Sequence, residues 1–421
     1  MITRFYIDNF KSLVDFDLEL AKFNCLIGLN GAGKSTVLQA LDFVSHWMTQ
    51  GGVEKWLELR DWNMKDVKSS LTKNKHIKIV LEIKLNDGTS NANFRWEATF
   101  NPGKMCCINE KLVVVGFPVS LFESDGKRYS ICQLYNQKPL TVFESVKYEE
   151  FNFCGKSREK NYYKCDYYKD IDFEYQGSLL SQLTDHRLGD FVRRFKQELS
   201  RLRAFDSFSP DCLRVAAKKD EQNDKQDIGI NGTQIAKFIR DLKQEEKDSL
   251  LKSLQGYYPQ VTEIITKLNR ATDSIELEIV EQYSPDSKPV RTKADHINDG
   301  LLRTLALLAE QYSPLETLLF DEIENGINPE VTEKVVDALV SSPKQIIVTT
   351  HSPMILNYMS DEVAKEAVTL IYKNSHGHTH ATRFFNVPSA AKKLTSLAPG
   401  DAMLDLYLQE VAQEAEATYA Q

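Results

Sequence analysis

The chain has 421 residues, enough for two or three domains around a large core, and its 42% hydrophobic and 27% charged residues are the balance of an ordinary globular protein. With 52 basic and 60 acidic side chains the net charge is −8, which gives no global pull toward nucleic acid, and no apolar run approaches the ~20 residues a membrane span needs. Seven cysteines without a C-x-x-C pair argue against a disulfide framework or a zinc ribbon, and the N-terminus lacks a signal-peptide layout, so a reduced, cytoplasmic setting is expected.

Met1 to Asp8 reads as a first strand, and Phe23-Asn-Cys-Leu-Ile27 is a short apolar run suited to a buried one. Residues 28–36 then spell G-x-x-x-x-G-K-[ST] without mismatch. Val37, Leu38, Leu41, Val44 and Trp47 follow at helical spacing within Thr36 to Met48. Strand, glycine loop and helix in that order make a polyphosphate site. Gly28, Gly31 and Gly33 let the backbone amides of a loop that includes Asn30 and Ala32 wrap phosphates at the start of a helix opened by Thr36. Lys34 is placed to reach β- and γ-phosphates, and the Ser35 hydroxyl is placed for Mg²⁺. ATP and Mg²⁺ are therefore the expected cofactors.

Residues 76–85, 93–100, 111–115 and 127–134 read as antiparallel strands, with turns at Asn86-Asp-Gly88 and Asp125-Gly126. Residues 148–175 are dense in Tyr and Phe interleaved with Lys and Arg. That mixture suits either an exposed hairpin or stacking on single-stranded nucleic acid. Residues 178–270 turn helical, including Gln234 to Gln255, with a charged loop at 217–232 and no sustained heptad. Arg187, Arg193, Arg194, Lys196, Arg201 and Arg203 form a basic run on an expected helix from Leu188 to Leu202, readable as a solvated face or a contact surface. Residues 275–283 return as a strand.

Asn298-Asp-Gly-Leu-Leu-Arg303 opens a helix running from Leu301 to Tyr312. Asn298, Asp299 and Gly300 suit a plain cap and equally an anion site serving a partner subunit's nucleotide. Thr317-Leu-Leu-Phe-Asp-Glu322 is an apolar strand ending in two carboxylates. Asp321 would hold Mg²⁺ and Glu322 would act as general base on water, the chemistry of a Walker B element. A further strand, Gln345 to Thr350, ends in His351-Ser-Pro, where the imidazole can sense a γ-phosphate. After the strand Ala367 to Tyr372, His376-Gly-His-Thr-His380 is either a hairpin turn or a triad of metal ligands. Leu394 to Gln421 reads as a terminal helix with Leu404, Leu406, Leu408 and Val411 for docking.

The order G-L-N-G-A-G-K-S, N-D-G-L-L-R, L-L-F-D-E-I-E-N-G-I-N-P and T-T-H-S-P resembles ABC-type ATPase heads of the SMC/RecF/OLD group, and most of all the compact predicted ATPases of bacterial anti-phage defence and toxin-like operons. Phe5-Tyr-Ile-Asp-Asn-Phe-Lys-Ser-Leu13 resembles that group's N-F-K-S motif, which implies nucleotide contacts for Lys11 and Ser12. In ABC ATPases the signature supplies Ser-Gly-Gly in trans; here Asn298 and Asp299 stand at the first two positions. Gln50 and Gln133 both fit the Q-loop position poorly by spacing. The resemblance implies an α/β ABC-type P-loop head with a mixed sheet, an antiparallel β-subdomain and a helical insertion. The expected division is an N-terminal lobe at 1–175, a helical insertion at 176–272, a C-terminal lobe at 273–390 and a terminal helix at 391–421. It also implies a homodimer or higher homo-oligomer through ATP-sandwiched heads, acting on a separately encoded nuclease or toxin effector, with no membrane partner. Its rivals are a RecF-like DNA-binding repair ATPase and an ATPase scaffold that sequesters a partner. The 70 residues after His351 are short for the Toprim nuclease domain that OLD-type proteins carry there, so no nuclease is expected within this sequence.

Overall fold

The computed structural model describes residues 1–49, 52–86, 91–116, 120–125, 129–134, 163–168, 177–183, 190–205, 208–219 and 227–419. At its centre is a six-stranded sheet in the order Leu202–Phe205, Thr317–Phe320, Gln345–Thr349, Phe23–Ile27, Val368–Lys373, Thr379–Arg383. Every pair in it is parallel except the last, which is antiparallel. Phe23–Ile27, Thr317–Phe320 and Gln345–Thr349 are buried at every position, as continuous apolar runs in a sheet covered on both faces must be. Their side chains alternate between two cores. Cys25, Leu318, Phe320, Ile346 and Val348 enter one cluster with the helices of the C-terminal half, while Leu26, Leu319 and Ile347 enter the other.

That second core lies against an eight-stranded antiparallel sheet whose order begins Phe16–Glu19, Ile2–Asp8, Ile77–Asn86, Asn91–Asn101. The helix Lys34–His46 is sandwiched between the two sheets. Its Phe43 and Trp47 meet Phe100 with ring centroids 5.8 and 4.9 Å apart, and Trp47 meets Trp96 at 5.9 Å. Asp42, fully buried on the same helix, accepts from Trp56 Nε1 (2.9 Å), Arg60 Nη2 (2.8 Å) and the Ala204 amide (3.1 Å), so its charge is neutralised where water cannot reach it. Gln345 ties the two sheets together. Its Oε1 accepts from the Ile2 amide at 2.9 Å and its Nε2 donates to the Ile2 and Ala21 carbonyls at 2.7 and 2.9 Å.

The α/β class and the antiparallel β-subdomain follow the expectation, but two stretches differ from it. Residues 176–272 are not helical throughout: Leu202–Phe205 is the edge strand of the central sheet and Val261–Asn269 belongs to a third sheet with Ser274–Glu281. The expected helix from Leu188 to Leu202 is seen over Asp190–Ser200 and ends before Leu202, which begins the edge strand; 188 and 189 lie outside the described residues. Arg203 can enter a buried strand because it forms an ion pair with buried Asp227, which basic-run counting misses. The C-terminal segment is three helices, Pro388–Leu394, Pro399–Leu404 and Leu408–Tyr419, the first two opened by proline. An additional strand, Ser120–Ser124, was not anticipated. No helix among the described residues is long and apolar enough to cross a membrane.

Candidate phosphate and metal site

The phosphate loop leaves the C-terminal end of Phe23–Ile27 and enters the helix at Lys34. The amides of Gly33, Lys34, Ser35 and Thr36 donate to no acceptor among the described residues, as at any helix start, and so are free for an anion. Gly33 has φ 112°, and a Cβ there would lie 2.6 Å from Thr379 Oγ1 and 3.3 Å from Ser12 Oγ, so the cradle closes only around glycine. Lys34 is 6% exposed and donates to the Gly28 carbonyl at 2.9 Å and the Leu29 carbonyl at 3.3 Å. Burial lowers its pKa, and the carboxylates of Asp321, Glu322 and Glu324 oppose that shift. Asn30, Gly31 and Ser35 are exposed, while Ala32 is buried.

Thr379 joins the loop to the N-F-K-S segment. Its hydroxyl donates to the Ala32 carbonyl (2.9 Å) and approaches Ser12 Oγ (2.8 Å), and its amide donates to the Ser12 carbonyl (2.9 Å). Ser12 thus stands beside the phosphate loop. Lys11 instead turns toward the helix flank: its Nζ donates to Gln39 Oε1 at 3.0 Å and sits 3.5 Å from the Trp62 ring centroid. Burial and the nearby Arg60 charge push Lys11 down to about 8, with Asp66 opposing.

The strand Gln345–Thr349 lies between the phosphate-loop strand and Thr317–Phe320, so the carboxylates of Asp321 and Glu322 sit one strand removed from the loop. Thr349, which is fully buried on that intervening strand, organises both acids. Its hydroxyl accepts from the Glu322 amide at 2.9 Å and donates to Asp321 Oδ1. Glu322 adopts φ 50°, a left-handed conformation that costs a non-glycine residue energy and concentrates at functional sites. His351 Nε2 is 3.8 Å from Glu322 Oε1, and the His351 amide donates to Glu324 Oε1 at 2.8 Å. Glu324 Oε2 is buried without a hydrogen-bond partner among the described residues. The structure therefore brings Lys34, Asp321, Glu322 and His351 to one end of the sheet and adds Glu324, Thr349 and Thr379.

Asn298, Asp299 and Gly300 stand apart from that group. Asn298 caps the helix Asp299–Ala309, accepting from the Leu301 amide at 2.8 Å; Asp299 accepts from Arg214 Nη2 at 2.5 Å; the Gly300 carbonyl accepts from Thr304 Oγ1 at 2.7 Å. No hydrogen bond among the described residues joins the three to the phosphate loop. One turn on, Arg303 donates to the Phe208 carbonyl (2.9 Å) and to the Asn325 carbonyl, linking this helix to the loop after Glu322.

The remaining candidates resolve into ordinary structure or fall outside it. His376, His378 and His380 occupy a tight hairpin closed by Asn374 N–H to His378 C=O at 2.9 Å, and no group of three or more His, Cys, Asp or Glu side chains among the described residues is placed to hold a metal. In the basic run, Arg193 pairs with Asp190, Arg201 with Glu316 and Arg203 with Asp227, and Lys196 donates to the Leu183 carbonyl. Gln50, Arg187, the Gln133 side chain and, apart from the backbone of Tyr163–Tyr168, the aromatic segment 148–175 lie outside the described residues.

Residues 1–356 match the family described as AAA ATPase domain. A stretch of 44 residues is 46% identical to part of the OLD nuclease of Thermus scotoductus; the match spans 10% of this chain and 8% of that protein. Similar solved structures include an SMC head bound to the C-winged helix domain of ScpA (13% identity, 90% of this chain, 96% of that chain, TM-score 0.49). Others are the SMC head domain from Thermotoga maritima (11%, 91%, 98%, 0.43) and an SMC head with extended coiled coil, bound to the C-terminal domain of ScpA, derived from Pyrococcus furiosus (12%, 94%, 99%, 0.46). The family match agrees with the resemblance that the sequence motifs carry.

Proposed function

We propose, for a chain that belongs to the AAA ATPase domain family, that it binds and hydrolyses ATP, closes head-to-head with a second copy around the nucleotide, and so controls a separate effector. The observation that carries this reading is the glycine loop with Lys34 at the end of Phe23–Ile27, one strand away from the Asp321 and Glu322 carboxylates, with His351 Nε2 3.8 Å from Glu322 Oε1. Lys34 would hold the β- and γ-phosphates, and the free amides at the helix start would hold their oxygens. Ser35 and Asp321 suit Mg²⁺, which when bound neutralises charge on the β- and γ-phosphates. The exposed carboxylate of Glu322, in its left-handed conformation, would take the proton from the attacking water, with His351 orienting the γ-phosphate.

Asn298 is exposed, and while its Oδ1 caps the helix its amide Nδ2 would donate to a phosphate oxygen of a partner's nucleotide; Asp299 is held by Arg214 beside it. The resemblance to ATPases of defence operons makes a nuclease or toxin the leading effector, and anti-phage defence the leading role. A DNA-gripping head draws no support from the net charge of −8 or from a basic run in which Arg193, Arg201 and Arg203 are held in ion pairs. Lys34→Ala is expected to abolish ATP binding, and Glu322→Gln to bind ATP without turnover and accumulate a closed dimer in light scattering. Wild-type hydrolysis by Glu322→Gln would remove the base assignment.

A further inference from the structure

The strand Val261–Asn269 is the outermost of the third sheet, pairing with Ser274–Glu281 on one side and with no strand on the other among the described residues. A strand of 9 residues is long for an open edge, whose unpaired amides and carbonyls form a template for another strand. Beside it runs a groove of about 310 Å³ lined by Ile239, Lys247 and Leu251 and by the four consecutive residues Glu263 to Thr266. Consecutive strand residues point to opposite faces. A groove that touches four in a row therefore follows the edge itself.

The strand is complementary to itself. Antiparallel pairing of two copies about Ile265 sets Glu263 opposite Lys267 twice, and Ile264 opposite Thr266 twice. Other registers forfeit both charge pairs, so the charges select this one. Both side chains are exposed, and Glu263 makes no ion pair or hydrogen bond among the described residues. Lys267 contacts Glu278 at 2.8 Å, but Arg291 stands 3.7 Å from the same carboxylate oxygen. Glu278 thus keeps a cation when Lys267 turns outward.

We propose that the partner of this edge is a second copy of the chain, docked by antiparallel pairing of the two Val261–Asn269 strands across a two-fold axis at Ile265. The interface is distinct from the nucleotide-bridged heads and does not depend on them. A chain with two such self-complementary surfaces builds closed tetramers or filaments from pairs of pairs.

The test is the mass of the full chain in solution without nucleotide. A dimer is expected at tens of micromolar, and Glu263→Lys and Lys267→Glu are each expected to weaken it about tenfold or more by opposing like charges. An equimolar mixture of the two variants is expected to recover the dimer, because each then meets opposite charge at both pairs. A nucleotide-free monomer, variants that dimerise like wild type, or folded variants whose mixture stays monomeric would each overturn the proposal. If Lys267→Glu fails to fold beside Glu278, Ile265→Cys decides instead. Directly opposed residues have Cα atoms roughly 4.5–5.5 Å apart, within disulfide reach, so oxidation should yield a linked dimer that wild type does not give. Its absence refutes the pairing.

Discussion

Thr349→Val isolates the hydroxyl on which both candidate catalytic carboxylates depend. Valine keeps the shape of a fully buried side chain but removes an acceptor 2.9 Å from the Glu322 amide and a donor to Asp321 Oδ1. A hydrogen bond to a charged group contributes about 1.5–3 kcal/mol and a neutral one about 1 kcal/mol, so the pair contributes about 3 kcal/mol. The amide bond also helps hold Glu322 at φ 50°, a conformation costing about 1–3 kcal/mol. Denaturant unfolding should therefore show a loss of about 2–3 kcal/mol. Because residues that orient a metal ligand typically change affinity about 10–100-fold, the Mg²⁺ concentration for half-maximal ATPase should rise by that factor. Thr349→Ser retains the hydroxyl and should restore most of the metal dependence. If Thr349→Val titrates with Mg²⁺ like wild type, Asp321 is not positioned through this hydroxyl.

Gly33→Ala should lose nucleotide binding and about 1–3 kcal/mol of stability, since its Cβ would lie 2.6 Å from Thr379 Oγ1 at φ 112°, whereas Gly31→Ala meets nothing within 4 Å and should cost only backbone strain. Melting curves and titration with a fluorescent ATP analogue read the contrast, and equal losses at the two positions would contradict it. Glu110 is fully buried, which pushes its pKa up to about 7, against the hydrogen bonds it accepts from Ser178 and the Leu179 and Leu180 amides. The folded state then holds a proton that the unfolded chain releases, so stability falls as pH rises from about 4.5 to about 7 and is level above. The stability difference between wild type and Glu110→Gln should change by about 3 kcal/mol over that window in urea unfolding at stepped pH. A difference that does not vary with pH would exclude Glu110 as its source.

How much of the site was legible follows from how far apart its parts lie. The phosphate loop is one continuous motif, whereas two acids at the end of an apolar strand are common, and those at 321 and 322 gain their meaning from the motifs around them. Thr379 was hidden inside a histidine-rich turn, and its approach to Ser12 arises only because two distant hairpins meet over the loop. Thr349 sat inside a strand already recognised, but a threonine in a buried strand signals only β-propensity until its neighbours are known. Glu324 is one letter of the D-E-I-E motif in the sequence, and only the fold sets it against the His351 amide. Leu202–Phe205 is too short to show periodicity, and its buried arginine makes sense only with Asp227 in place. The single helix expected from Leu394 to Gln421 runs across Pro399, although proline there is itself the signal that a new helix starts.

The phosphate-loop strand Phe23–Ile27 has Gln345–Thr349 on one side and Val368–Lys373 on the other. A ribosome adds roughly 5–20 residues per second, so the loop waits on the order of tens of seconds after synthesis for either neighbour. Through that interval an apolar strand followed by a glycine loop has no sheet to join, and early domains cannot lock around it. The part of the molecule most readily recognised in the sequence is thus among the last to acquire its structure. Nascent chains should bind holding chaperones through this segment until the C-terminal third emerges, and truncations that end before residue 345 should be aggregation-prone and unable to retain nucleotide.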